Sequence, residues 1–140
     1  VTDSNLAEPD VNTSPAAPDA VVLGVDLLLV GVFVLLGRTS HHKENLFAGW
    51  AGAAWPFLSG ALVGWAAVLV LRRAGRRLPG NSFAVAGVVV TASIVVGMTL
   101  RRAFTDGGTP FSFLIAATTF LSIFLFGWRA LDRLRRSRRA

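Results

Sequence analysis

Asp26 is the one charged residue inside an otherwise uncharged apolar stretch, Val21–Gly37. A carboxyl in that setting can serve as a proton or cation site. It can instead be a structural acceptor for a hydroxyl on another helix, with Thr91, Thr118, Thr119 and Ser122 as candidate donors, or an interfacial group if the helix begins late. At a helix centre an Asp costs about 2.5 to 3.5 kcal/mol to insert into a membrane. Each surrounding Val, Leu or Phe returns roughly 0.3 to 0.6 kcal/mol, so the segment still inserts. Counted from Ala20 at 1.5 Å per residue, Asp26 lies about 9 Å inside the helix. Trp65 is the matching oddity in the second apolar stretch. It sits about nine residues in, too deep for an interfacial belt. Its indole N–H needs an acceptor there, and Asp26 is a candidate.

Arg38, His41, His42, Arg101 and Arg102 form a second constellation, at the ends of apolar stretches on the opposite side. Together they could bind an anion, a lipid phosphate or a partner's carboxylate; the plainer reading is a solvated loop. Adjacent His side chains point apart on a helix, and Glu44 and Asp106 are the only acids nearby, so no metal site is predicted. A bis-His haem needs His within the spans, so no cofactor is predicted either. The chain has no Cys, which removes disulfides and thiol chemistry. It also lacks HExxH, GxSxG and any convincing Ser-His-Asp grouping, so a non-enzymatic protein is expected.

The elements that must position these residues are four apolar stretches, roughly Val21–Gly37, Trp55–Leu71, Phe83–Leu100 and Phe111–Trp128. A helix needs about 20 mostly apolar residues to cross a ~30 Å hydrocarbon core. With 53% hydrophobic residues and a mean hydropathy of +0.57, the 140-residue chain reads as all-α, an integral membrane bundle of four transmembrane helices. Residues 1–19 read as a disordered acidic tail without the basic start of a signal peptide. The transmembrane domain is placed at 20–131, with helices at about 20–37, 55–71, 83–100 and 111–128, and a basic tail at 132–140. Pro18 or Asp19 opens the first helix. Trp55-Pro56 opens the second, with Leu46–Ala54 as a candidate short interfacial helix. Pro79-Gly80 marks a turn, and Asn81 or Ser82 caps the third helix. Asp106-Gly107-Gly108 marks another turn, and Thr109-Pro110 opens the fourth helix.

The net charge of +6 could suggest nucleic acid, but nearly all the basic residues flank the apolar stretches, as in membrane proteins. No nucleic-acid partner is predicted. Arg72, Arg73, Arg76, Arg77, Arg129, Arg133, Arg135, Arg136, Arg138 and Arg139 fall on the side of both termini; Arg38, Lys43, Arg101 and Arg102 fall on the other. This excess puts the N and C termini in the cytoplasm of a multi-pass plasma-membrane protein, although the first helix alone favours the reverse. The Arg129–Arg139 run reads as an anchor for anionic lipids. Gly60 and Gly64 form a GxxxG, and Ser93 and Gly97 a similar small-residue pair, which suit close helix packing within a bundle or a homodimer. Trp50, Trp55 and Trp128 suit interfacial belts. A weak echo links the halves: Gly64-Trp65 precedes Arg72-Arg73 as Gly127-Trp128 precedes Arg135-Arg136.

The ordered set Gly37-Arg38 with His following, Trp55-Pro56-Phe57 with Gly60, Gly64-Trp65, Gly97-Met98 with Arg101, and Gly127-Trp128-Arg129 resembles domain-of-unknown-function family 3054 over about residues 20–131. The resemblance implies a small four-span membrane protein of a kind found mainly in actinobacteria and haloarchaea. It implies no activity. Two functions follow as expectations: a small oligomeric transport or permeation protein centred on Asp26, or an accessory or scaffold subunit of a larger envelope or respiratory membrane complex. The chain is accordingly expected to be a homo-oligomer or a complex subunit.

Overall fold

The computed structural model describes residues 18–38, 46–104 and 111–139, all in helices or the turns that join and end them. Four helices follow in order: α1 (Asp19–Arg38), α2 (Leu46–Arg73), α3 (Phe83–Phe104) and α4 (Phe111–Ser137). Each contains a segment long and apolar enough to cross a membrane: Asp19–Gly37, Gly49–Arg73, Phe83–Phe104 and Phe111–Ser137. The protein is therefore a multi-pass membrane bundle. The helices close into a ring in chain order, with α1 touching α2 and α4, and α3 touching the same two.

Backbone chemistry sets the helix ends near Asp26. The Pro18 carbonyl accepts the first turn's N–H bonds from Val21 and Val22, at 2.9 and 3.2 Å. At the end of α2, Arg76 N donates to Leu71 O and Gly75 N to Arg72 O, both at 3.0 Å. These are the two bonds of a Schellman cap, and Gly75, at φ 89°, takes the left-handed position that an L side chain resists. Ser82 caps α3, its Oγ accepting from Val85 N at 3.3 Å.

Two predicted boundaries need correction. α2 begins at Leu46 rather than Trp55, so Pro56 lies inside it and no separate interfacial helix precedes it. An interior Pro removes a bond and crowds the carbonyl four residues back, here that of Gly52. Membrane helices accommodate this where neighbours hold them. Pro56 is fully buried, and one turn and a half earlier Trp50 Nε1 donates to the α1 carbonyl of Gly31 at 3.0 Å. That tie also draws Trp50 inward from its expected interfacial position. The second correction concerns α4, which continues through most of the expected basic tail to Ser137. Residues 1–17 and the turns predicted around Asp106 and Thr109-Pro110 lie outside the described residues.

α2 and α3 form the closest pair, and small residues are the reason. A methyl on Gly60 would lie 2.7 Å from Ser93 Cα, one on Gly64 2.8 Å from Val89 Cα, and one on Gly97 2.7 Å from the Phe57 ring. Backbones this close gain dispersion contacts that substitute for the hydrophobic drive missing in lipid. At the end of the bundle away from the Arg-rich termini, Phe33, Phe57 and Phe113 pack with ring centres 5.9–6.4 Å apart. α4 is the least covered helix: 17% of its span is buried, against 44% for α2.

Candidate functional site

The inner face of α1 carries Val22, Asp26, Val30 and Phe33, all buried, at the spacing of one helical stripe. The inner face of α4 carries Ala117, Leu121, Leu125 and Arg129, every fourth residue and all buried. Where the two stripes meet, Asp26 and Arg129 form an ion pair with both side chains 0% exposed. Arg129 Nη1 donates to Asp26 Oδ1 and Nη2 to Oδ2, each at 2.8 Å. This is the two-pronged geometry in which guanidinium and carboxylate bind most strongly.

Two indoles complete the carboxylate's shell. Trp65 Nε1 of α2 donates to Oδ2 at 3.0 Å, and Trp128 Nε1 of α4 donates to Oδ1 at 3.0 Å. Each oxygen thus accepts two hydrogen bonds, which fills the roughly four lone-pair positions of an ionised carboxyl. Arg129 is nearly as well satisfied. Its Nη1 also donates to Leu125 O at 3.0 Å and its Nη2 to Gly80 O at 3.2 Å. Nε alone has no partner among the described residues. The guanidinium carbon also lies 4.8 Å from the centre of the Trp128 ring, a cation–π distance.

The turn between α2 and α3 closes the site from the Arg-rich end. Gly80 is buried there, and a methyl on it would lie 3.3 Å from the Trp65 ring and closer still to the Asp19 carboxylate. Arg72 anchors this turn. Its Nε donates to Leu78 O at 2.7 Å, and its two terminal nitrogens hold Asp19 at 2.5 and 3.2 Å. Further out, Asp132 accepts from Arg136 at 3.0 Å and from Asn81 at 3.4 Å, and Arg133 lies 4.0 Å over the Phe83 ring.

Residues 23–131 match the family described as protein of unknown function, DUF3054. The chain belongs to the DUF3054 family. No curated protein and no solved structure matches this DUF3054 member.

Of the residues singled out in the sequence, the DUF3054 bundle brings Asp26 and Trp65 into direct contact. Gly60, Gly64, Ser93 and Gly97 all fall at the α2–α3 contact; Ser93 Oγ is buried there without a partner among the described residues. The hydroxyls named as donors to Asp26 are not its partners. Thr91, Thr118 and Thr119 are exposed, Thr118 bonds its own helix at Leu114 O, and indoles and a guanidinium occupy the carboxylate instead. Trp128 faces this shell rather than serving only as an interfacial ring. Of the other constellation, Arg101 lies 4.9 Å over the Phe113 ring and Arg102 is exposed. His41, His42 and the Arg38 side chain lie outside the described residues. Arg129 is the residue that sequence reasoning misplaced, as the first member of a lipid-facing basic run. Two signals pointed inward: its spacing from Leu121 and Leu125, and the second Gly-Trp pair directly before it.

Proposed function

We propose that this DUF3054 protein is a non-catalytic membrane subunit, an accessory or scaffold component of a larger membrane assembly, with Asp26 and Arg129 as its internal clasp. The saturation of Asp26 carries this reading. A carboxyl that passes protons or cations must exchange partners and reach water, as intramembrane relay carboxyls do. Asp26 is fully buried and its four acceptor positions are filled by Arg129, Trp65 and Trp128. That arrangement suits fixing helices in register better than permeation. The absence of familiar catalytic motifs in the sequence favours the non-enzymatic reading.

The same reading sets the bundle in the plasma membrane with both termini cytoplasmic, because the Arg-rich ends of α2 and α4 lie on the side that basic residues favour. The decisive experiment is purification from the native membrane in mild detergent, followed by an intact mass of the complex. Other subunits at fixed stoichiometry support the proposal. A mass at a small multiple of 14.9 kDa, together with cation or proton flux in proteoliposomes that Asp26→Asn abolishes without unfolding the bundle, overturns it in favour of permeation.

A further inference from the structure

The turn that closes the buried pair also builds a cleft on its outer side. This cleft has a volume of about 510 Å³ and is lined by Pro18, Asp19, Arg72, Arg76, Arg77 and the Leu78–Gly80 turn. Its frame is fixed at several points. The Schellman cap at Gly75 sets where the chain leaves α2. Arg72 ties Leu78 O and Asp19 into one wall, and Ser82 N closes the turn onto Pro79 O at 2.9 Å. The Gly80 carbonyl is held from beneath by Arg129.

Arg72 is committed to this frame, and Asp19 balances its charge. Arg76 and Arg77 are exposed, and neither guanidinium has a hydrogen bond or ion pair among the described residues. Among the described residues, the cleft therefore carries two positive charges without an acidic partner, over walls of Pro and Leu. Its depth is equally specific. The apolar span of α2 ends at Arg73, which sets Arg76 and Arg77 just beyond the hydrocarbon, where phospholipid phosphates lie. Val21 and Val70, immediately deeper on α1 and α2, are exposed apolar residues against which acyl chains can lie.

We propose that this cleft is a binding site for the headgroup phosphate of an anionic phospholipid, held by Arg76 and Arg77. Guanidinium groups match phosphate oxygens in pairs. The acyl chains add burial that a free phosphate lacks, and a zwitterionic headgroup brings an ammonium that the cleft repels. Basic pockets at the cytoplasmic ends of membrane helices recognise lipid headgroups in this way.

The test uses the full chain, delipidated in non-ionic detergent and titrated with phosphatidylglycerol, phosphatidylcholine or inorganic phosphate while bound species are counted by native mass spectrometry. One phosphatidylglycerol is expected per chain. Each Arg contributes about five-fold to affinity, so Arg76→Ala with Arg77→Ala lowers it about 25-fold. Both side chains are exposed and without a partner among the described residues, so helicity by circular dichroism stays unchanged. The control, Arg138→Ala with Arg139→Ala on the tail, changes affinity by about two-fold or less, because these residues do not line the cleft and exposed charges outside it are screened by salt. Equal loss in both double variants means a diffuse surface effect and overturns the proposal. So do equal retention of phosphatidylcholine, inorganic phosphate binding as well as the lipid, or no loss in Arg76→Ala with Arg77→Ala.

Discussion

Replacing Arg129 with Leu isolates the strongest interaction in the bundle. Asp26 then keeps one indole donor on each oxygen, Trp128 on Oδ1 and Trp65 on Oδ2, and loses both guanidinium bonds. Hydrogen bonds to charged groups contribute about 1.5 to 3 kcal/mol each. Breaking a buried ion pair from one side costs about 3 to 5 kcal/mol in measured cases, because the surviving charge stays buried. The two routes agree on the scale. Asp26→Asn leaves the opposite orphan, but a milder one. Arg129 retains the carbonyls of Leu125 and Gly80 as acceptors, and its long stem allows the head to turn toward the nearby interface. Asp26→Asn therefore falls at the low end of the range and Arg129→Leu at the high end. The double variant removes both charges; its Asn oxygen accepts from one indole, and its NH2 group faces the other. It should lie within about 1 to 2 kcal/mol of the native protein, since replacing both members of a buried pair is often close to neutral. The assay is a double-mutant cycle on reversible unfolding in mixed micelles, followed by far-ultraviolet circular dichroism. The expected non-additivity is about 3 kcal/mol or more. Additivity within about 0.5 kcal/mol, the usual result for independent sites, would refute the clasp.

Trp65→Phe keeps a ring at the centre of the bundle but removes one donor to the carboxylate, and should cost about 1.5 to 3 kcal/mol in the same unfolding assay; no measurable loss would mean the indole bond contributes nothing net. Two glycines give opposite outcomes. Gly60→Ala sets a methyl 2.7 Å from Ser93 Cα and 2.8 Å from Ala92 O, backbone atoms that cannot swing aside, and should destabilise by about 1 to 3 kcal/mol. Gly24→Ala meets nothing within 4 Å and should stabilise by up to about 1 kcal/mol through helix propensity. Thermal unfolding that ranks the two the other way round would contradict the close α2–α3 approach.

Asp26 was legible because a lone charge in an apolar run is conspicuous, and Trp65 because its depth left its N–H in need of an acceptor. Three helix starts were legible for local reasons: Pro18 and Asp19, the Ser82 cap, and the onset of the apolar run at Phe111. The start of α2 was not, because Pro56 reads as a boundary and the helix before it is held by tertiary contacts such as Trp50–Gly31, between residues 19 apart. Arg129 was hidden by a different effect. In a soluble helix a buried stripe contrasts with a polar opposite face, whereas in α4 the exposed positions Phe111, Ile115, Phe120 and Ile123 are as apolar as the buried Leu121 and Leu125. With no contrast between faces, an Arg beside five others reads as part of their run.

Arg129 and Asp26 are 103 residues apart in the sequence, and that separation bears on assembly. α1 reaches the membrane before α4 exists, so Asp26 stands without its counter-charge until the last helix arrives. α1 alone also has basic residues only on its C-terminal flank, which favours the reverse orientation. Pairing with Arg129 constrains α1 relative to α4: Asp26 gains its counter-charge only when both have their Asp19 and Ser137 ends on the same side of the membrane. The clasp therefore selects, among the arrangements the apolar segments alone would permit, the one in which the first and last helices stand side by side.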